Sequence, residues 1–163
     1  MGTEFNADEI FEIAEQIERN GSKFYNHGAE LVPDEVTRKL LLSLATWETR
    51  HEKLFAEMRA ELLKKEKEPT AFDPDNEAVL YLQAMADDHV FNVKEMSGIL
   101  KGSESPEEIL NTALGFEKDS IAYFLGMKEV VPERLGKDRL DRIVREEISH
   151  VATLTRLMKD MQK

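Results

Sequence analysis

The sequence predicts an all-α protein, a four-helix bundle with one long crossover. Three observations predict it. Apolar residues recur at alternating spacings of three and four along four long segments, the mark of helices with one buried face. The links within the first and second pairs of segments are short, while the link between the pairs is long. No stretch shows the strict alternation of a half-buried strand. At 163 residues the chain suits a single domain, 1–163, with a core of its own.

The first segment runs from about Asn6 to Glu30, on Ile10, Ala14, Ile17, Gly21, Phe24 and Gly28. Pro33 punctuates, and "PDE" opens the second segment with acid in its first turn. That segment extends from Asp34 to about Lys67. Its stripe is Leu40, Leu44, Trp47, His51, Leu54 and Met58, with Leu41, Glu48 and Phe55 alongside. "EPTAFDPDN" is a turn-rich break. A connecting region follows from Glu77 to Ser103, with "EAVLYLQAMADD" helical and "SGILKGSES" a loop. The third segment opens on "SPEE", with Ser105 as N-cap, Pro106 at the first helical position and Glu108 completing a capping box. It runs to about Val130. The fourth starts near Pro132 and reaches the C-terminus on Leu140, Ile143, Val144, Val151, Leu154, Leu157, Met158 and Met161. Four long helices with one crossover between the second and third make the ferritin-like topology.

Composition narrows the chemistry. The formal charge of −11 argues against nucleic acid and anionic lipid as partners, and it attracts cations. Its plain reading is solubility. Lysine and arginine are scattered apart from "KKEKE". The N-terminal residues are already charged, without a secretory apolar run. No apolar run approaches the roughly 20 residues of a membrane span. These features predict a soluble, cytoplasmic protein. The absence of cysteine removes disulfides, thiolate nucleophiles, iron–sulfur clusters and cysteine-rich zinc sites together. Any metal must be held by imidazole and carboxylate.

Two short stretches sharpen that point. "TWETRHEKL" places Glu48 three residues before His51, and "VREEISHVA" places Glu147 three before His150. Both sit in runs that otherwise read as buried helix, where an unpartnered charge is costly. Each apolar face of the other two helices carries one glutamate, Glu18 and Glu117. Glu18 and Glu48 are 30 apart, as are Glu117 and Glu147, and an offset of 99 maps the first set onto the second. Phe24 and Tyr25 land on Tyr123 and Phe124. The chain thus reads as a helix-pair repeat over 6–67 and 105–161.

Residues i and i+3 share a helix face, so both members of each Glu-x-x-His point one way. Two such halves converge four carboxylates and two imidazoles inside the bundle. Four anions do not share a dry interior; two divalent cations would neutralise them, with two glutamates bridging. This is the ligand set of ferritin-like di-iron and di-manganese proteins. Carboxylate with imidazole suits iron, or manganese, better than copper(I).

The residues carry a resemblance as well. "IERNGSKFY", "TWETRHEKL", "LGFEKDSIAYF" and "VREEISHVA" resemble the rubrerythrin-like branch of the ferritin-like superfamily, across all four helices. The resemblance implies a two-iron centre on Glu18, Glu48, His51, Glu117, Glu147 and His150, with Glu48 and Glu147 bridging. Two departures stand out. Rubrerythrin carries a cysteine-ligated rubredoxin domain, and this chain has none, so electrons would come from a separate rubredoxin-type donor. Rubrerythrin also has an extra glutamate one turn after its third-helix ligand; here that position is Ser120. The symmetric six-ligand set looks closer to a bacterioferritin ferroxidase centre.

The expected activity is that of an oxidoreductase reacting with hydrogen peroxide or dioxygen in oxidative-stress defence. The alternatives are a ferroxidase or iron-handling protein, and a metal-free helical bundle that acts through a partner. Tyr25 and Tyr123, two turns from Glu18 and Glu117, are the candidate catalytic side chains, against a reading of each as plain core. Asp119, Asp141, Glu146 and Asn20 are candidates to orient the ligand imidazoles. Trp47 reads as packing, and His27 and the "ADDH" stretch (Asp87, Asp88, His89) as bystanders. The seven methionines read as core filler. The family resemblance implies a homodimer.

Overall fold

The computed structural model describes residues 6–63, 77–87 and 98–163. Among them are five α-helices and no strand: α1 (Ala7–Leu31), α2 (Glu35–Ala60), α3 (Glu77–Asp87), α4 (Pro106–Val130) and α5 (Lys137–Met161). Residues 64–68, 68–76 and 88–89, which hold "KKEKE", "EPTAFDPDN" and the end of "ADDH", lie outside the described residues.

Helix starts follow local chemistry. Asn6 caps α1 in a capping box: its side chain accepts from Glu9 N at 3.1 Å, and Glu9 accepts from Asn6 N at 3.2 Å. Asp34 accepts from Thr37 N at 2.8 Å to open α2. Ser105 and Glu108 form the expected reciprocal pair ahead of Pro106. Each side-chain acceptor satisfies an amide that the first helical turn leaves without a partner.

Two boundaries differ from the sequence reading. The second helix ends at Ala60 rather than near Lys67. Its end is fastened from elsewhere: Arg134 donates to the Glu61 carbonyl at 2.7 Å, and Arg139 to the Glu61 carboxylate at 3.0 Å. The fourth long helix does not begin at Pro132. A single 3-10 turn, Glu133–Leu135, comes first, and Gly136 at φ +81° then turns the chain into α5. That backbone conformation suits glycine because it has no Cβ to clash.

The buried row of α2 is also shifted. Leu41, Leu44, Glu48, His51, Phe55 and Met58 are buried, while Leu40, Trp47 and Leu54 are only half-buried at the edge of the row. Two adjacent rows of α2 are apolar, and the inner one is that which carries Glu48 and His51.

The helices α1 and α2 run antiparallel, as cross-links at three levels require: Arg59 to Asp8 at 2.9 Å, Arg19 to Glu52 at 2.8 Å and Ser22 to Thr49 at 3.1 Å. The α4–α5 pair is antiparallel too, with Lys128 bonded to Asp141 near one end and Gln162 to Glu107, 3.3 Å, at the other. Contacts between α1 and α4 and between α2 and α5 close the bundle. In the crossover, α3 lies on α4: Tyr81 donates to the Ala122 carbonyl at 3.0 Å, and Leu82 is fully buried.

The core has two apolar layers. One is built on Ile10, Phe11, Phe55, Tyr123, Phe124 and Met127. The other is built on Phe24, Leu41, Leu44, Ile109, Leu110 and Leu154. Between them along every long helix falls a polar level. Glu18 follows Ile17 and precedes Phe24; Glu48 and His51 lie between Leu44 and Phe55; Glu117 lies between Ala113 and Tyr123; Glu147 and His150 lie between Val144 and Leu154.

Candidate metal centre

All six predicted ligand residues are buried in that polar level, the least buried being His150 at 6% exposure. They form two overlapping groups. Glu18, Glu48, His51 and Glu147 each offer one ligand atom within 4.8 Å of the others, and so do Glu48, Glu117, Glu147 and His150. Glu48 and Glu147 belong to both groups.

Both imidazoles turn Nδ1 inward. His51 Nδ1 lies 2.7 Å from Glu147 Oε1 and 3.6 Å from Glu18 Oε2. His150 Nδ1 lies 3.6 Å from Glu48 Oε1, 3.5 Å from Glu117 Oε2 and 3.6 Å from Glu147 Oε2. The rings sit 5.9 Å apart and nearly parallel. Gly21 makes room for Glu48: a Cβ there would lie 3.2 Å from Glu48 Cγ and Oε2.

The electrostatics follow from burial. Desolvation, and then the charges of Glu147 and Glu117, push the Glu18 carboxyl well up, with contact from Glu48 offsetting part of the rise. Desolvation and the charge of Glu18 do the same to Glu48. Desolvation beside Glu147 lifts Glu117 to about 8. Burial works against both imidazolium ions, but neighbouring carboxylates outweigh it. Glu147 foremost holds His51 at about 9, and Glu117 with Glu147 holds His150 at about 10. Glu147 is the one carboxyl of the cluster held low: burial opposes ionisation, and the proximity of the Glu117 carboxyl and the two imidazoles overcomes it.

The donor set fits a metal pair. Eight buried atoms on the six residues have no hydrogen-bond partner: both oxygens of Glu18 and of Glu147, one oxygen each of Glu48 and Glu117, and Nδ1 of both histidines. His51 Nδ1 and Glu147 Oε1 are close but not aligned to bond. A buried polar atom left without a partner costs ~1–3 kcal/mol, and a domain's whole stability is only ~5–15 kcal/mol. Eight such atoms facing one another call for a ligand common to them. Oxygen and imidazole donors without sulfur suit divalent iron or manganese.

The two candidate tyrosines part company. Tyr25 reaches from α1 to donate its hydroxyl proton to Glu117 Oε1, and burial next to that carboxylate raises its own pKa well above normal. Tyr123 donates to the Ile10 carbonyl at 3.1 Å, so the structure seats that hydroxyl on the α1 backbone. Glu146, one of the candidates to orient the imidazoles, does so. Its Oε2 accepts from His51 Nε2 at 2.8 Å. Asp141 is bonded to Lys128, and Asn20 accepts from Gln16 at 2.7 Å. His27 lies near Glu30, 3.6 Å, on the α1 surface.

The sequence contained a signal for Glu146 that spacing arguments pass over. Under the 99-residue offset Glu146 corresponds to Trp47, so the repeat breaks there. Trp47 packs beside both imidazoles, 6.3 Å from His51 and 6.1 Å from His150 by ring centroid. Gly21 likewise corresponds to Ser120, whose hydroxyl donates to its own helix at Phe116 O, 2.9 Å.

The fold and site together define a ferritin-like helical bundle with a buried carboxylate–histidine centre. A solved structure from Thermotoga maritima, described as that of a ferritin-like diiron-carboxylate protein, superimposes with a TM-score of 0.71. It covers 99% of each chain at 21% sequence identity. No protein-family model matches this chain, and no curated protein matches it. Among the described residues no helix is long and apolar enough to cross a membrane.

Proposed function

We propose that this chain is a non-haem di-iron carboxylate protein of the rubrerythrin-like branch, with manganese as the other candidate metal, and that it acts as an oxidoreductase on hydrogen peroxide or dioxygen in oxidative-stress defence. The observation that carries the reading is the set of eight unpartnered atoms on six buried side chains.

In this reading Glu18 and His51 would hold one ion and Glu117 and His150 the other, with Glu48 and Glu147 available to both. A bound iron pair supplies two electrons together to an oxidant. The chain supplies the rest. The apolar layers above and below exclude water. Glu146 fixes the His51 ring, and Tyr25 keeps its proton and holds Glu117 by one oxygen. A separate rubredoxin-type protein would supply the electrons, and the chain would act as a homodimer.

A second reading, iron oxidation for storage or detoxification, is favoured by Ser120. Its hydroxyl is turned back to its own helix, so that turn of α4 contributes no additional carboxylate. Stopped-flow mixing of the diferrous protein separates the two. Fast oxidation by peroxide with slow reaction in air supports the peroxidase; rapid turnover of added Fe(II) in air supports the ferroxidase. Less than one metal per chain after growth with iron overturns both.

A further inference from the structure

Two of the breaks in the repeat that builds the centre act on the same question. On one side of the pseudo-symmetry, His51 Nε2–H is held by the Glu146 carboxylate at 2.8 Å. On the other, the residue that would hold His150 is Trp47, whose indole has a donor and no acceptor. A carboxylate on the outer nitrogen of a ligating histidine makes the inner nitrogen more basic and fixes the ring. The second break concerns the terminal glutamates. Tyr25 occupies Glu117 Oε1, while its counterpart Phe124 has no hydroxyl to offer, and both oxygens of Glu18 are without a partner. Glu18 is free to present two oxygens to an ion. Glu117 presents one unencumbered oxygen, with its charge partly spent on the tyrosine.

A third observation points the same way. A cavity of about 280 Å³ opens between α2 and α5, lined by Leu40, Trp47, Glu146, Ser149, His150 and Thr153 among others. His150 borders it and His51 does not. Glu146 stands between the cavity and the His51 ring.

Building on the di-metal reading above, we propose that the two metal positions are unequal by construction: the Glu18–His51 position fills first and holds its ion, and the Glu117–His150 position is the weaker, exchangeable one. Glu146 and Tyr25 are the positioning residues that set the order, one by strengthening a ligand of the first position and the other by weakening a ligand of the second.

The test is titration of the metal-free full-length chain with Co(II). It is followed by visible absorption, by calorimetry and by the fluorescence of the single tryptophan, Trp47. Wild type is expected to bind in two steps, the first at least ten-fold tighter. Glu146→Gln should weaken the first step by ~10–100-fold, the range for losing such a partner, and leave the second unchanged, so that the steps converge. Tyr25→Phe should tighten the second step and leave the first alone. A structural role for either residue would move both steps together. Two equal steps in wild type, or equal weakening of both by Glu146→Gln, overturns the proposed order while leaving the di-metal reading intact. Absence of any Co(II) binding overturns the di-metal reading and the order with it.

Discussion

Gly21 on α1 faces Glu48 on α2 so closely that a methyl group at position 21 would lie 3.2 Å from Glu48 Cγ and from Oε2. Glycine within a helix costs ~0.5–1 kcal/mol relative to alanine. Its presence in the middle of a 25-residue helix is therefore a concession to its neighbour. Gly21→Ala should leave the metal-free protein as stable or slightly more so, because the helix gains. It should also push Glu48 aside and weaken metal binding ten-fold or more at both positions, since Glu48 belongs to both groups. Thermal melting of the stripped protein alongside a metal titration reads the two opposed effects; unchanged affinity would show that Glu48 yields without consequence.

Glu147 is the hub of the centre, near both His51 and His150. Glu147→Ala should reduce bound metal below one ion per chain by elemental analysis after growth with iron. The helical circular-dichroism spectrum should persist, because the apolar layers on either side are untouched. Retention of two ions would mean that the pair is bridged by other groups.

The metal-free protein should lose stability as pH rises. Folding lifts Glu117 from 4.5 to about 8, and Glu18 and Glu48 well above 4.5. It lifts His51 and His150 from 6.5 to about 9 and about 10. A group that binds its proton more tightly when folded stabilises fully below its unfolded pKa and ceases to as pH passes its folded pKa. Glu117, His51 and His150 therefore withdraw support between about pH 4.5 and pH 10, and Glu18 and Glu48 act in the same direction. Glu147 has the opposite sign, but its window lies below 4.5. Divalent ions replace those protons, so metal binding should release protons and tighten with rising pH. The melting-temperature difference between loaded and stripped protein should widen from pH 6 to pH 9; a constant difference would show that the cluster is not protonated as described.

At Gly126 the contact is tighter still. An added Cβ would sit 2.7 Å from Tyr81 Cε1 and 2.9 Å from Leu82 Cδ2. Gly126→Ala should lift α3 off α4 at a cost of ~1–3 kcal/mol, the usual range for overpacking. Hydrogen exchange should quicken in Glu77–Asp87 and stay slow in α1 and α2. Loss of protection throughout the bundle would show that α3 is integral to the core.

Much of this was legible in the sequence because its causes are local. Asn6, Asp34 and Ser105 announce helix starts with their own side chains. The six candidate ligands announce themselves by a repeated spacing that the three-and-four periodicity places on buried faces. What escaped reading has causes elsewhere in the chain. The second helix stops at Ala60 where Arg134 takes the Glu61 carbonyl. Two rows of α2 were equally apolar, and only packing selects the one through Leu41 and Phe55. Tyr25 and Tyr123 both lie about two turns from a terminal glutamate in the sequence, yet one meets Glu117 and the other Ile10. In the sequence Glu146 is one of four unranked candidates, and only its place opposite His51 across the bundle, 95 positions away, singles it out.

Each group of candidate ligands draws on both antiparallel pairs. Glu18, Glu48 and His51 lack the Glu147 that α5 lends them, and Glu117, Glu147 and His150 lack the Glu48 that α2 returns. Neither hairpin owns a complete set. Capturing ions and clasping the hairpins to one another are thus a single event, and removing the ions slackens the seam between the two before it slackens either one.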